Sequence, residues 1–192
     1  MRIIGGKWRG RTLTPPDGRD IRPTGDRVRE AIFNIVEHGR HTKGGGSPIP
    51  SAVVLDGFAG TGAMGIEALS RGAAKAYFLE KDRVSIDVLE ENLADCGTAA
   101  TIRKADCLAP PPAPETCDLV FLDPPYGQGM AVPALIALTD AGWIGDNALC
   151  MVEIGKGDGF ETPDGFEMLD ERRYGAARVI LLTRRAQTAS AE

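Results

Sequence analysis

A chain of 192 residues has room for one α/β domain with an appendage, and it carries enough apolar material to bury a core. No apolar stretch approaches the ~20 residues needed to span a bilayer. Because the basic run Arg2–Arg11 lacks the apolar segment of a secretion signal, a cytoplasmic protein is expected, with no membrane partner.

The formal net charge of −5 argues weakly against a nucleic-acid partner, but its distribution matters more. Residues 1–29 hold eight basic side chains against three acidic ones, with Trp8 and several glycines interleaved. That composition suits an ordered RNA-binding face, and a solvated basic tail is the plainer alternative. Cys96, Cys107, Cys117 and Cys150 form no C-x-x-C pair, and only His38 and His41 accompany them. Reduced, buried thiols are expected, with no metal and no disulfide framework.

In chain order, residues 1–14 read as a hairpin: Arg2-Ile3-Ile4, a Gly5-Gly6 turn, then Trp8 to Leu13. Pro15, Pro16, Gly18 and Pro23 punctuate a loop. A helix spans Asp26 to His38, with Val28, Ala31, Ile32, Ile35 and Val36 as its apolar stripe. Thr24 or Asp26 is its candidate N-cap, and Gly39 its stop. Residues 39–51, with three consecutive glycines and two prolines, read as a flexible connector between an N-terminal arm (1–38) and a main domain (52–185). Residues 186–192 read as a frayed tail.

The main domain alternates. Strands at Ala52–Asp56, Ala76–Glu80, Ala100–Lys104, Asp118–Leu122 and Ala148–Ile154 are interleaved with helices at Ala63–Arg71, Arg83–Asp95 and Met130–Ala141. Phe166–Tyr174 and Arg178–Thr183 close the chain as a hairpin joined at Gly175. This alternation predicts a parallel sheet with helices on both faces and an antiparallel edge. The proline-rich stretch Leu108–Glu115 admits no normal helix, so one flank of the sheet should be thinly covered.

Ligands in such sheets sit outside the carboxyl ends of the strands. The first strand ends in Asp56 and runs into Gly57-Phe58-Ala59-Gly60-Thr61-Gly62, a loop that can turn tightly against a ligand. Its spacing is neither the dinucleotide fingerprint nor a P-loop. The second strand ends in Glu80, suited to ribose hydroxyls or else to a surface ion pair with Lys81. Asp106 follows the third strand and could accept from an exocyclic amine or cap a turn. The fourth strand ends in Asp123-Pro124-Pro125-Tyr126. Two prolines make this exit stiff and leave carbonyls without ladder partners. It is either a rigid strand exit or a grip for a planar group bearing an amino donor.

Together with Arg2–Arg11, Arg22–Glu30 and Phe33-Asn34, these motifs resemble those of bacterial small-subunit (16S) ribosomal RNA guanine-N2 methyltransferases, within the class I S-adenosylmethionine-dependent methyltransferases. The resemblance runs from Arg2 to about Arg184. It implies a Rossmann-like fold with a seven-stranded, mostly parallel sheet, an antiparallel C-terminal strand and a small N-terminal hairpin and helix. Asp123, Pro124 and Tyr126 would then be catalytic. Asp56, Phe58, Ala59, Gly60, Thr61, Gly62, Glu80, Lys81, Asp106, Cys107, Asp123 and, from the arm, Thr24 would hold S-adenosyl-L-methionine. Arg2, Lys7, Trp8, Arg9, Arg11, Arg22 and Arg27, with Pro125 and Tyr126, would hold the substrate, helped by Arg173 and Arg178. The implied partner is ribosomal RNA, including an assembling 30S subunit, met by a monomer. Adenine-N6 methylation of DNA or RNA is the nearest alternative, and a non-catalytic RNA-binding assembly factor is another. A nicotinamide oxidoreductase ranks last, since the glycine spacing fails.

Overall fold

The computed structural model describes residues 1–15, 25–38 and 46–186. One sheet organises them. Its strands are β1 (Val53–Gly57), β2 (Lys75–Glu80), β3 (Thr101–Lys104), β4 (Cys117–Leu122), β5 (Ile144–Gly155), β6 (Phe166–Tyr174) and β7 (Ala177–Arg184). The helices are α1 (Asp26–His38), α2 (Ala63–Ser70), α3 (Arg83–Asp95) and α4 (Ala131–Asp140). The order across the sheet is β3-β2-β1-β4-β5-β7-β6. Neighbours from β3 through β5 run parallel, and β7 is antiparallel to both β5 and β6. The expected seven-stranded, mostly parallel sheet is therefore present. Strand order reverses between β1 and β4, and that crevice is where ligands bind in open α/β sheets.

Strands covered on both faces read as near-continuous apolar runs, as in β1 and β4. One face of the sheet presents Val54, Phe78, Phe121, Met151 and Leu181 to α1, α2, α3 and the N-terminal segment. The opposite face presents Leu55, Leu79, Val120, Val152 and Ile180 to α4 and Trp143. No helix forms between β3 and β4, as the prolines require. That crossover is instead pinned to the end of α4, where Trp143 Nε1 donates to the Pro111 carbonyl and Ala113 N to the Ala141 carbonyl, both at 2.8 Å.

Four local expectations need correction. β5 starts at Ile144 rather than Ala148, because the register against β4 slips between Cys117 and Leu119 and Asn147 takes a left-handed conformation. Such a bulge breaks the alternation by which a strand is read. The N-terminal hairpin closes through an Arg2–Thr12 bridge, but its turn is a 3-10 turn over Gly6–Trp8 rather than Gly5-Gly6. The buried stripe of α1 is Arg29, Ile32, Phe33 and Val36, turned one residue from the expected set. Arg29, counted among the basic residues of the arm, is 0% exposed; its Nη2 reaches Asp26 Oδ1 at 2.8 Å and its Nε lies 3.9 Å from Glu67. Asp26 is inside the first turn of α1, where its carboxylate pairs with Arg29, so it does not cap the helix.

Thr24, Gly39 and the connector up to residue 45 lie outside the described residues, as does the tail from 187. From Gly46 onward the connector is built into the body: Ile49 is fully buried, and Ser51 N donates to the Gly72 carbonyl at 3.1 Å.

Candidate active site

The pairing of Gly57 with Leu122 sets the loop after β1 beside Asp123. Between them opens a cleft of about 880 Å³ at the carboxyl ends of the strands. Phe58, Gly60, Glu80, Lys81, Asp106, Cys107, Asp123, Pro124, Pro125 and Tyr126 line it, all of them expected from the sequence. Asp56, Ala59, Thr61 and Gly62 are not in its wall but support it from behind.

The loop's two glycines have different jobs. Gly60 (φ 53°) is open toward the cleft, with no atom closer than 3.9 Å to where a Cβ would stand. Gly62 (φ 78°) precedes α2, and a Cβ there would meet Leu89 Cδ1 at 2.2 Å, so it serves packing. Phe58, a non-glycine residue at φ 57°, holds a strained conformation at the mouth of the cleft.

Glu80 locks this loop to the next strand. Its Oε2 accepts from Gly60 N, and its Oε1 from Lys81 N and Asp82 N, each at 2.8 Å. Asp106 accepts from Leu108 N at 3.0 Å and Lys81 Nζ at 2.9 Å, and these two bonds hold its carboxyl below the usual range. Cys107 is buried, its sulfur accepting from Phe58 N at 3.3 Å; burial pushes the thiol up to about 12, so it is neutral and no nucleophile. Asp56 is buried under α2 and accepts from Gly65 N at 2.8 Å. Burial pushes its carboxyl up to about 8 against that hydrogen bond, with the charges of Asp123 and Glu80 adding to the rise.

At the far wall the Tyr126 hydroxyl donates to Glu153 Oε1 at 2.6 Å. Glu153, at the carboxyl end of β5, was missed in the sequence, although the strand-end rule points to it. The three-residue register slip between Cys117 and Leu119 obscured where that strand begins. Asp158, which accepts from Gly127 N at 3.0 Å, stands in a turn and carries no sequence signal.

The N-terminal segment is docked on α2 and α3. Glu67 accepts from Ile4 N and Gly5 N, both at 2.7 Å, and Ser70 Oγ accepts from Trp8 N at 3.0 Å. Asn92 accepts from Thr14 N at 2.8 Å and donates to the Thr61 carbonyl at 3.0 Å, joining the arm to the glycine loop. Arg2, Lys7, Arg9, Arg11 and Arg27 are exposed, whereas Trp8 is buried with Lys7 Nζ 4.3 Å from its ring centre. None of these six lines the cleft. Arg22 and Thr24 lie outside the described residues.

The family model described as conserved hypothetical protein 95 matches residues 1–183. The chain belongs to that family. Relatives include ribosomal RNA small subunit methyltransferase D of Escherichia coli, 40% identical across 97% of this chain and 91% of the relative. The protein of that name from Haemophilus influenzae is 39% identical over 91% and 89% of the two chains. Among solved structures, Escherichia coli yhhF matches with a TM-score of 0.80 at 39% identity, covering 97% of this chain and 99% of its own. This member of the family is a methyltransferase, and the cleft at the strand ends is its candidate active site. No helix among the described residues is long and apolar enough to cross a membrane.

Proposed function

We propose that this methyltransferase uses S-adenosylmethionine to methylate the exocyclic N2 amine of a guanine in small-subunit ribosomal RNA. The observation that carries the reading is one cleft with two unlike walls: a glycine loop with Glu80 and Asp106 on one side, and Asp123-Pro124-Pro125-Tyr126 on the other. Its volume is ordinary for a small-molecule site. Its acids suit a donor that carries positive charge on sulfur and on its amino group: Asp56 is driven toward neutrality partly by Asp123 and Glu80, and a cation among them would relieve that repulsion. S-adenosylmethionine supplies, when bound, a methyl group on a positively charged sulfur.

The chain's own residues orient and hold. Glu80, already fixed by three backbone amides, keeps lone pairs for ribose hydroxyls. Asp106 would hold the adenine, with Lys81 and Cys107 beside it in the cleft wall, and Gly60 would admit close approach of the methionine portion. An exocyclic amine is a poor nucleophile because its lone pair is delocalised into the ring. Asp123 and the Pro124 carbonyl would accept its two N–H bonds, which favours a pyramidal nitrogen. As its lone pair forms the new N–C bond the methyl's bond to sulfur breaks, a neutral thioether leaves, and the surplus proton on nitrogen passes to Asp123. Tyr126 stacks on the base, worth ~1–3 kcal/mol. Positioning and fixed charge provide the acceleration. The base must leave its stack to reach this depth. Arg2, Lys7, Arg9, Arg11 and Arg27, exposed on the docked arm, hold RNA phosphates. The enzyme acts as a monomer on ribosomal RNA, including that of an assembling 30S subunit.

Replacing Asp123 by Ala abolishes methyl transfer and leaves cofactor binding, measured by calorimetry, within a few-fold of the parent. Near-normal turnover in that variant would sink the mechanism. Digestion of methylated RNA should release N2-methylguanosine; N6-methyladenosine instead would reassign the base.

A further inference from the structure

Two prolines fix the backbone before Tyr126, but they do not fix its ring. The side chain is 41% exposed, so packing constrains it on one side only. Its hydroxyl, however, donates to Glu153 Oε1 at 2.6 Å, within the range of bonds to an ionised carboxylate. Glu153 is itself 6% exposed and lies between Val152 and Ile154, both in the core. β5 is paired on both sides here, Val152 with Leu122 of β4 and Glu153 with Val179 of β7. The anchor is therefore a rigid one, set one position beyond the last β4–β5 pair and beside Asp123.

The turn that follows β5 is shaped around the same tyrosine. Asp158 accepts from Gly127 N through both oxygens, at 3.0 and 3.1 Å, and from Gly155 N at 2.9 Å. It thereby ties the residue after Tyr126 to the end of the strand that carries Glu153. Gly155 comes so close that a Cβ there would stand 3.3 Å from Tyr126 Cβ.

We propose that Glu153 is a positioning residue: through the Tyr126 hydroxyl it sets the plane of the ring on which the target base stacks, with Asp158 holding the loop in place. The proposal rests on the base-stacking role given to Tyr126 above. A carboxylate is costly to bury, and this one directs a short hydrogen bond at a ring exposed in the cleft. Fixing the ring before the base arrives removes an ordering cost from binding and keeps the amine aligned with the donor.

The test uses the full chain with Glu153→Met, which removes the acceptor at similar length, Glu153→Gln, which keeps an acceptor oxygen, and Tyr126→Phe. Glu153→Met should lower kcat on RNA about tenfold while the cofactor Kd stays within about twofold, and Glu153→Gln should recover most of that loss. Tyr126→Phe breaks the same bond without touching the core, and should lose as much. The double variant Tyr126→Phe, Glu153→Met should be no worse than either single one. Aromatic NMR gives a readout apart from turnover: the Tyr126 ring resonances should shift in Glu153→Met and largely return in Glu153→Gln. Unmoved resonances, turnover of Glu153→Met or Tyr126→Phe within about twofold of the parent, or penalties that multiply in the double variant would each overturn the proposal. A parent protein that methylates no RNA would instead overturn the function reading, and the resonances would still decide the positioning role.

Discussion

The two faces of the sheet are assembled by different physics. On the α4 face, Leu135, Leu138, Trp143 and their strand partners form an apolar layer, tied to the crossover at its edge by the Trp143 indole on Pro111, Ala113 N on the Ala141 carbonyl and the Tyr77 hydroxyl on Glu115. On the arm face, the apolar layer is threaded with Arg29, Asp56, Glu67, Ser70 and Asn92, all buried. Each of the last four receives or returns backbone hydrogen bonds from another segment. An apolar face specifies little beyond volume. A polar one specifies register, since a slip of one residue would strand charges without partners. The arm thus docks in one way, and the glycine loop is held by the same network.

The contrast can be broken at its strongest point first. Glu67→Ala would leave the Ile4 and Gly5 amides, Arg71 and Arg29 without their shared acceptor, at a cost of about 3–5 kcal/mol in urea unfolding. Hydrogen exchange at Ile4 and Gly5 should rise with it. Leu135→Ala on the other face should cost about 3 kcal/mol by opening a cavity. There the arm amides should keep their relative protection; equal loosening of the arm by both variants would erase the distinction.

A smaller effect sharpens it. Asp56 holds its proton up to about 8 in the folded protein, against 3.8 ordinarily. The folded state therefore binds more protons than the unfolded one between those values, and this group's contribution to stability falls as pH rises through that window. Asn at this position keeps an acceptor for Gly65 and does not titrate. The stability of Asp56→Asn relative to the parent should thus improve from pH 5 to pH 8, as read by urea unfolding of cofactor-free protein. Parallel pH profiles would remove the burial effect assigned to Asp56.

The alternating pattern in the sequence was sufficient for the sheet, because central parallel strands such as Val53–Gly57 and Cys117–Leu122 are apolar on both faces and bounded by glycine and proline. The walls of the cleft were legible for a related reason: a strand-end acid in such a fold has few places to go. What stayed hidden depends on pairing at a distance. The start of β5 was concealed by the slip opposite Cys117, and the inward turn of Arg29 by a partner, Glu67, on another helix. Trp8 reads as part of an RNA-binding face among cations, yet it is buried in the core, because its own amide and that of Gly5 are captured by α2. Glu153 and Asp158 acquire meaning only once β5 is placed beside β4.

The docked arm has a consequence for synthesis. It is synthesised before the helices it docks on and can fold only late, since Ile4 must wait for Glu67, Thr14 for Asn92 and Arg11 for the Asp95 carbonyl. Such distant contacts form only after the intervening chain has closed on itself. Until then the most basic stretch of the molecule is loose. Its cations take up fixed positions at the moment when Asn92 also grips Thr61, so the surface assigned to RNA and the loop assigned to the donor mature together.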